Sequence, residues 1–101
     1  MYVRIATFQV DPRQLDAAVE YFRVETIRVF SAYDGFLGYQ AFVDRGRGRI
    51  VGMSRWRSLA ALEASGESGR AVIQGAARLG AAIVGEPQIL EQAFDEKARP
   101  A

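Results

Sequence analysis

A run of Phe36-Leu37-Gly38-Tyr39-Gln40-Ala41-Phe42-Val43, a glycine-rich reversal, then Ile50-Val51-Gly52-Met53-Ser54-Arg55-Trp56 constrains this chain more than any other stretch. It reads as a β-hairpin whose first arm carries large apolar side chains on both faces. Successive strand residues point to opposite sides of a sheet. Strict alternation therefore sends Phe36 and Phe42 one way, and Leu37, Tyr39 and Val43 the other. A sheet in water needs only one apolar face, so a second one asks for a cover. The rest of the chain supplies two helices, enough for one face. The other face calls for a partner subunit, a ligand or both.

The chain has 101 residues, one domain's worth, and can bury roughly 65% of its unfolded surface without staples. A net charge of +1 makes no electrostatic case for nucleic acid or an anionic membrane. Cysteine is absent, which excludes disulfides, thiolate metal sites and cysteine nucleophiles. Histidine is absent too, which removes the commonest general base, the commonest metal ligand and the usual haem ligand. No apolar run approaches transmembrane length, and the N-terminus lacks a charged segment followed by an apolar core. The expectation is a soluble, cytoplasmic protein with no membrane or nucleic-acid partner.

Tyr2 to Val10 is rich in β-formers and alternates only loosely, as a strand covered on both sides would. Asp11 then caps a helix, Pro12 suits its first position, and Gln14 completes the spacing of a capping box. Leu15, Ala18, Val19, Phe22, Ile27, Val29 and Phe30 recur near helical period, which predicts an amphipathic helix from about Pro12 to Ala32. Asp34-Gly35 ends the connection, and Arg45-Gly46-Arg47-Gly48 turns the hairpin. Ser58 caps a short helix carrying Leu59 and Leu62. After an interruption at Ser65–Gly69, a second helical stretch runs to about Val84, with Val72, Ala76, Leu79 and Ile83 on one face. Gln88 to Asp95 reads as a final strand. The expected organisation is a single domain over residues 1–95 and a flexible tail over 96–101. The order β-α-β-β-α-β, with an antiparallel sheet, is that of a ferredoxin-like α+β fold.

This order and its punctuation resemble the antibiotic biosynthesis monooxygenase family. The likeness rests on a first strand running directly into a capped helix, on the Asp34-Gly35-Phe36-Leu37-Gly38 entry to the second strand, and on Trp56-Arg57-Ser58 closing the third. It covers about Met1 to Asp95. The resemblance implies a homodimeric α+β barrel, two sheets packed together with helices outside, and a small-molecule pocket between each sheet and its helices. Members of the family include cofactor-independent monooxygenases of aromatic polyketides and haem-degrading enzymes. An asparagine often stands four residues before the third-strand tryptophan in both groups, and here that position is Gly52. The haem degraders bind iron through a histidine that this chain lacks, so haem degradation by that route is not expected. No cofactor is expected.

Four residues are candidates for binding a small aromatic ligand. Trp56 offers a broad flat surface and one N–H donor, with small same-face neighbours Ser54 and Gly52. The plainer reading is that it fills core at a strand end. Tyr39 places a hydrogen-bonding hydroxyl in apolar surroundings. Arg70 and Arg78 carry a fixed positive fork that suits an enolate or a carboxylate, although a solvated helix face accounts for both. Arg4 and Arg55, inside strands, call for a carboxylate partner, with Glu91 and Asp95 as candidates. No serine has a histidine to activate it. Catalysis, if present, must come from orienting a substrate that ionises easily and reacts with oxygen directly, excluding water and stabilising its anion.

Two other classes fit less well. RNA-recognition domains share the element order, but Val51 and Met53 stand where their third strand needs stacking aromatics, and the first strand has no central one. Gly46 and Gly48 precede a strand, whereas phosphate loops precede a helix. A non-catalytic dimer of the same fold, binding a small molecule or serving assembly alone, is the alternative to an oxygenase.

Overall fold

The computed structural model describes residues 1–100, so Ala101, the end of the expected tail, lies outside the described residues. Strand β1 spans Tyr2–Val10. Asp11 accepts a hydrogen bond from the Arg13 amide, a 3₁₀ turn covers Pro12–Gln14, and helix α1 spans Leu15–Phe30. The hairpin is β2, Phe36–Asp44, and β3, Arg49–Trp56. Ser58 caps the short helix α2, Leu59–Ala64, through the Ala61 amide, and α3 follows as Gly66–Ala76. Two short strands complete the layer, β4 at Ala81–Ile83 and β5 at Gln88–Glu91.

The sheet runs β2-β3-β1-β4, with β5 also on β1, and every pairing is antiparallel. The helices pack on one side. That side carries Phe8, Val10, Ile50 and Ala81 from the sheet, and Leu15, Ala18, Phe22, Val72 and Ala76 from the helices. A second buried cluster, Phe30, Trp56 and Leu62, lies near Tyr33 and Phe36.

The corrections fall in three places: the bounds of the C-terminal elements, the faces of β2 and the strand arginines. The second helical stretch stops at Ala76, well before Val84. A 3₁₀ turn and Gly80, whose φ of +70° is left-handed, reverse the chain there. Residues 81–83 then leave helical geometry to complete the β1 edge, where Ile83 pairs Phe8 and Ala81 pairs Val10. The last strand ends at Glu91, and no regular structure follows through Pro100.

The second correction concerns the faces of β2. Phe36 pairs Trp56 and Gly38 pairs Arg55, so Leu37 is an extra residue, a bulge. The bulge shifts the alternation by one. Phe36 and Tyr39 thereby both face the helices, whereas Phe42 points from the opposite face and is 55% exposed. The two-faced character survives, but Phe36 and Phe42 lie on opposite sides.

The third concerns the strand arginines. Arg4 pairs with no carboxylate among the described residues. It donates from Nη2 to the Leu62 carbonyl at 2.7 Å and from Nη1 to Ser65 Oγ at 3.2 Å, closing the break between α2 and α3. Arg55 leaves its Nε buried and unpartnered. Glu91 instead accepts from the Tyr2 hydroxyl.

Candidate functional site

Between the sheet and helices α1 and α3 lies a cavity of about 40 Å³. That is room for a few water molecules. Its walls are mostly apolar, with Phe8, Phe22, Phe30 and Val72 among them, and four polar groups reach it: Tyr39, Thr26, Ser54 and Arg4. Each is there for a local reason. The Leu37 bulge turns Tyr39 inward from β2. Thr26 stands one helical turn from both Phe22 and Phe30 on the buried stripe of α1. Ser54 and Arg4 are paired positions on neighbouring strands and share a face.

Tyr39 lies across Gly52. A Cβ built at Gly52 would overlap Tyr39 Oη and stand 2.9 Å from its Cζ, so only glycine admits the ring in this position. Burial pushes the Tyr39 phenol up to about 12, opposed in smaller measure by the neighbouring Thr26 hydroxyl. The two hydroxyls do not form a well-aligned hydrogen bond, and Thr26 Oγ1 remains buried without a partner. At neutral pH Tyr39 is therefore a protonated phenol, a donor aimed into an apolar space beside an unsatisfied threonine. A buried polar atom left unpaired costs about 1–3 kcal/mol, which a ligand able to bond it would recover.

A wider groove of about 440 Å³ lies between α2–α3 and the segment from Glu86 to Ile89 that leads into β5. Arg4, Gly69 and Ile73 line both it and the inner cavity, so those three residues form the wall between them. Arg70, Glu63, Glu86 and Pro87 line the groove alone.

The four sequence candidates separate. Tyr39 lines the cavity, and Arg70 the groove. Arg78 is exposed beyond α3, its Nε 3.5 Å from the Gly75 carbonyl, and lines neither. Trp56 is fully buried and lines neither as well. Its ring centroid lies 5.1 Å from those of Phe30 and Phe36, and its Nε1 donates to Ser54 Oγ at 2.9 Å. Ser54 is thus the link between Trp56 and the cavity. Thr26 escaped sequence reasoning, although a threonine between Phe22 and Phe30 on an apolar stripe is a readable sign. Among the described residues no cluster of three acidic side chains could hold a metal ion.

An antiparallel layer in the order β2-β3-β1-β4, with helices on one face and a small cavity with polar tips between, defines a ferredoxin-like α+β domain. The description of the antibiotic biosynthesis monooxygenase family matches residues 1–71, and the chain belongs to that family. An uncharacterised Mycobacterium tuberculosis protein is 31% identical over 67 residues, 66% of this chain and 28% of that relative. The chain thus spans well under half the length of the curated relatives it matches. Among solved structures, a Deinococcus radiodurans protein described as a candidate antibiotic biosynthesis monooxygenase superposes with a TM-score of 0.75 at 14% identity, covering 99% of this chain and 100% of that one. A Streptomyces coelicolor monooxygenase in complex with nanaomycin D gives 0.70 at 20% identity, over 99% of this chain and 92% of that one. Both are similar in fold.

Proposed function

We propose that this protein is a monooxygenase-like subunit that binds a small, ionisable aromatic compound at the cavity under Tyr39, which widens beyond its 40 Å³ to admit the ring, and promotes its oxidation by molecular oxygen without a cofactor. The observation that carries the reading is the Tyr39 hydroxyl, protonated and directed into an apolar cavity beside the unpartnered Thr26 Oγ1. Family membership and the likeness in fold to a monooxygenase solved in complex with nanaomycin D support it.

The chemistry asks little of the protein. A substrate methylene between ring carbons loses a proton and its anion passes electrons to oxygen. One oxygen atom becomes the product carbonyl and the other leaves as water. Tyr39 donates a hydrogen bond to the substrate's oxyanion, where a donor in a dry site is worth far more than in water. Thr26 and Ser54 orient the ring, and the phenylalanines exclude water. With no histidine in the chain, the proton leaves to solvent or to a basic form of the substrate itself.

The protein acts as a homodimer in this reading. On the sheet face away from the helices stand Ile5, Val51, Met53, Phe42 and Leu90, the last two about half exposed. A second copy laid over that face would cover them. Oxygen consumption with a panel of anthrones and hydroquinones tests the enzymatic reading. If no compound is turned over but several bind with micromolar affinity, the chain is a non-catalytic binding dimer.

A further inference from the structure

The guanidinium of Arg4 is half-buried at the wall between the inner cavity and the outer groove. Only two of its five N–H groups are bound, and both go to neutral oxygens, Leu62 O and Ser65 Oγ. Arg70 lines the same groove and directly follows the wall residue Gly69 in α3. No carboxylate among the described residues pairs with either arginine. Arg4 is thus a partly desolvated cation with a like charge for a neighbour, and both effects pull its pKa down. An arrangement of two cations facing one groove, one of them partly out of water, is stabilised by an anion between them.

The groove shares three residues with the inner cavity, Arg4, Gly69 and Ile73, whereas a third space of about 320 Å³ beside β2 and α1 shares only Tyr39 with it. An aromatic ring needs more than 40 Å³, and typical ligand sites run to several hundred. Gly69 adds no side chain of its own to that wall, where Arg4 Nη1 and Phe30 Cζ pack over it, so side-chain movement of Ile73 and Arg4 together would join the two spaces.

We infer that cavity and groove are one site for an aromatic molecule bearing a single carboxylate, its ring inside against Tyr39 and its carboxylate held by Arg4 and Arg70. This rests on the cavity reading above and adds the acid group to it. Glu63 and Glu86 stand on the groove's rim and bring its net charge near zero. The attraction is therefore local to the arginine pair, and a second acidic group further out meets repulsion.

Titration calorimetry with 1-naphthylacetate and its uncharged isostere 1-naphthylacetamide tests the inference on the full chain. The acid should bind about tenfold more tightly than the amide at low salt, with the gap narrowing as salt rises. Arg70→Gln, at an exposed position that leaves the helix-break contacts of Arg4 intact, should abolish most of the preference and spare amide binding. Equal affinities for acid and amide, or equal loss of both in Arg70→Gln, would overturn the acid assignment and leave the aromatic cavity standing. Binding of neither compound would overturn both.

Discussion

The Tyr39 ring occupies the space a side chain at position 52 would need, so the identities of residues 39 and 52 are coupled across the β2–β3 ladder. Gly52→Ala forces Tyr39 to swing out or the strands to part, and should cost about 1–3 kcal/mol. In Tyr39→Ala/Gly52→Ala the added methyl finds room, so the double variant should be less destabilised than the sum of the two singles. Urea midpoints of the four proteins measure this. Strict additivity would show that the two residues do not meet.

Tyr39→Phe removes the hydroxyl while keeping the ring. The hydroxyl makes no well-formed bond within the protein, so stability at pH 7 should change by less than about 1 kcal/mol. Oxygen uptake with an anthrone substrate should fall about tenfold to a hundredfold, the scale of losing one oxyanion donor. Unchanged turnover in this variant would remove Tyr39 from the chemistry.

Alkaline pH gives a second reading of the same group. The Tyr39 phenol ionises near 12 when folded and near 10 when unfolded, so the unfolded chain releases its proton first. Stability from this group is complete below pH 10 and is lost as pH rises from about 10 to about 12, on the order of 2–3 kcal/mol in all. Tyr2, raised chiefly by its hydrogen bond to Glu91, and Tyr21, raised chiefly by burial, act in the same direction. The Tyr39→Phe variant should therefore lose less stability across that window than the wild type, as thermal melts at pH 9 to 11.5 will record.

Trp56→Phe tests a side chain whose indole N–H is already bound and whose ring is enclosed. The smaller ring leaves a void and strands Ser54 Oγ, at a cost of about 1–3 kcal/mol. For a domain of this size that lowers Tm by several degrees. The effect on ligand affinity should be secondary, passing through Ser54. A variant with unchanged Tm and abolished binding would instead place the indole against the ligand.

The open sheet face carries its own test. Met53→Glu puts a charge among Ile5, Val51 and Leu90, where a second copy would have to bury it. Sedimentation should find a dimer for the wild type at micromolar concentration and a folded monomer for the variant. A monomeric wild type would overturn the dimer.

Much of the fold was legible because its signals are local. Asp11-Pro12 starts the first helix, Ser58 starts the second, and apolar periodicity marks the stripe from Leu15 to Phe30. What escaped depends on other parts of the chain. Nothing in residues 81–83 says that β1 needs an edge partner there. The Leu37 bulge is set by how β2 meets β3, and pattern alone gave Phe42 the wrong companions. Of the site, Tyr39 and Arg70 were visible as chemistry-bearing residues in suitable places. Arg4 was visible only as an anomaly, a cation in a strand, because its acceptors are a carbonyl and a hydroxyl 58 and 61 residues away.

The bulge at Leu37 makes chain length, ahead of residue type, the variable that divides inside from outside along β2. Deleting Leu37 would remove only the extra residue, leaving Phe36 opposite Trp56, Gly38 opposite Arg55 and Tyr39 opposite Ser54, so Phe36 and Tyr39 would keep their side. Deleting Gln40 with Tyr39 in place would instead carry every later residue of β2 to the opposite face and turn Phe42 toward the helices. A loss of one codon there would exchange the side chains facing the helices for those of the open face, a change that no single substitution nearby could reproduce.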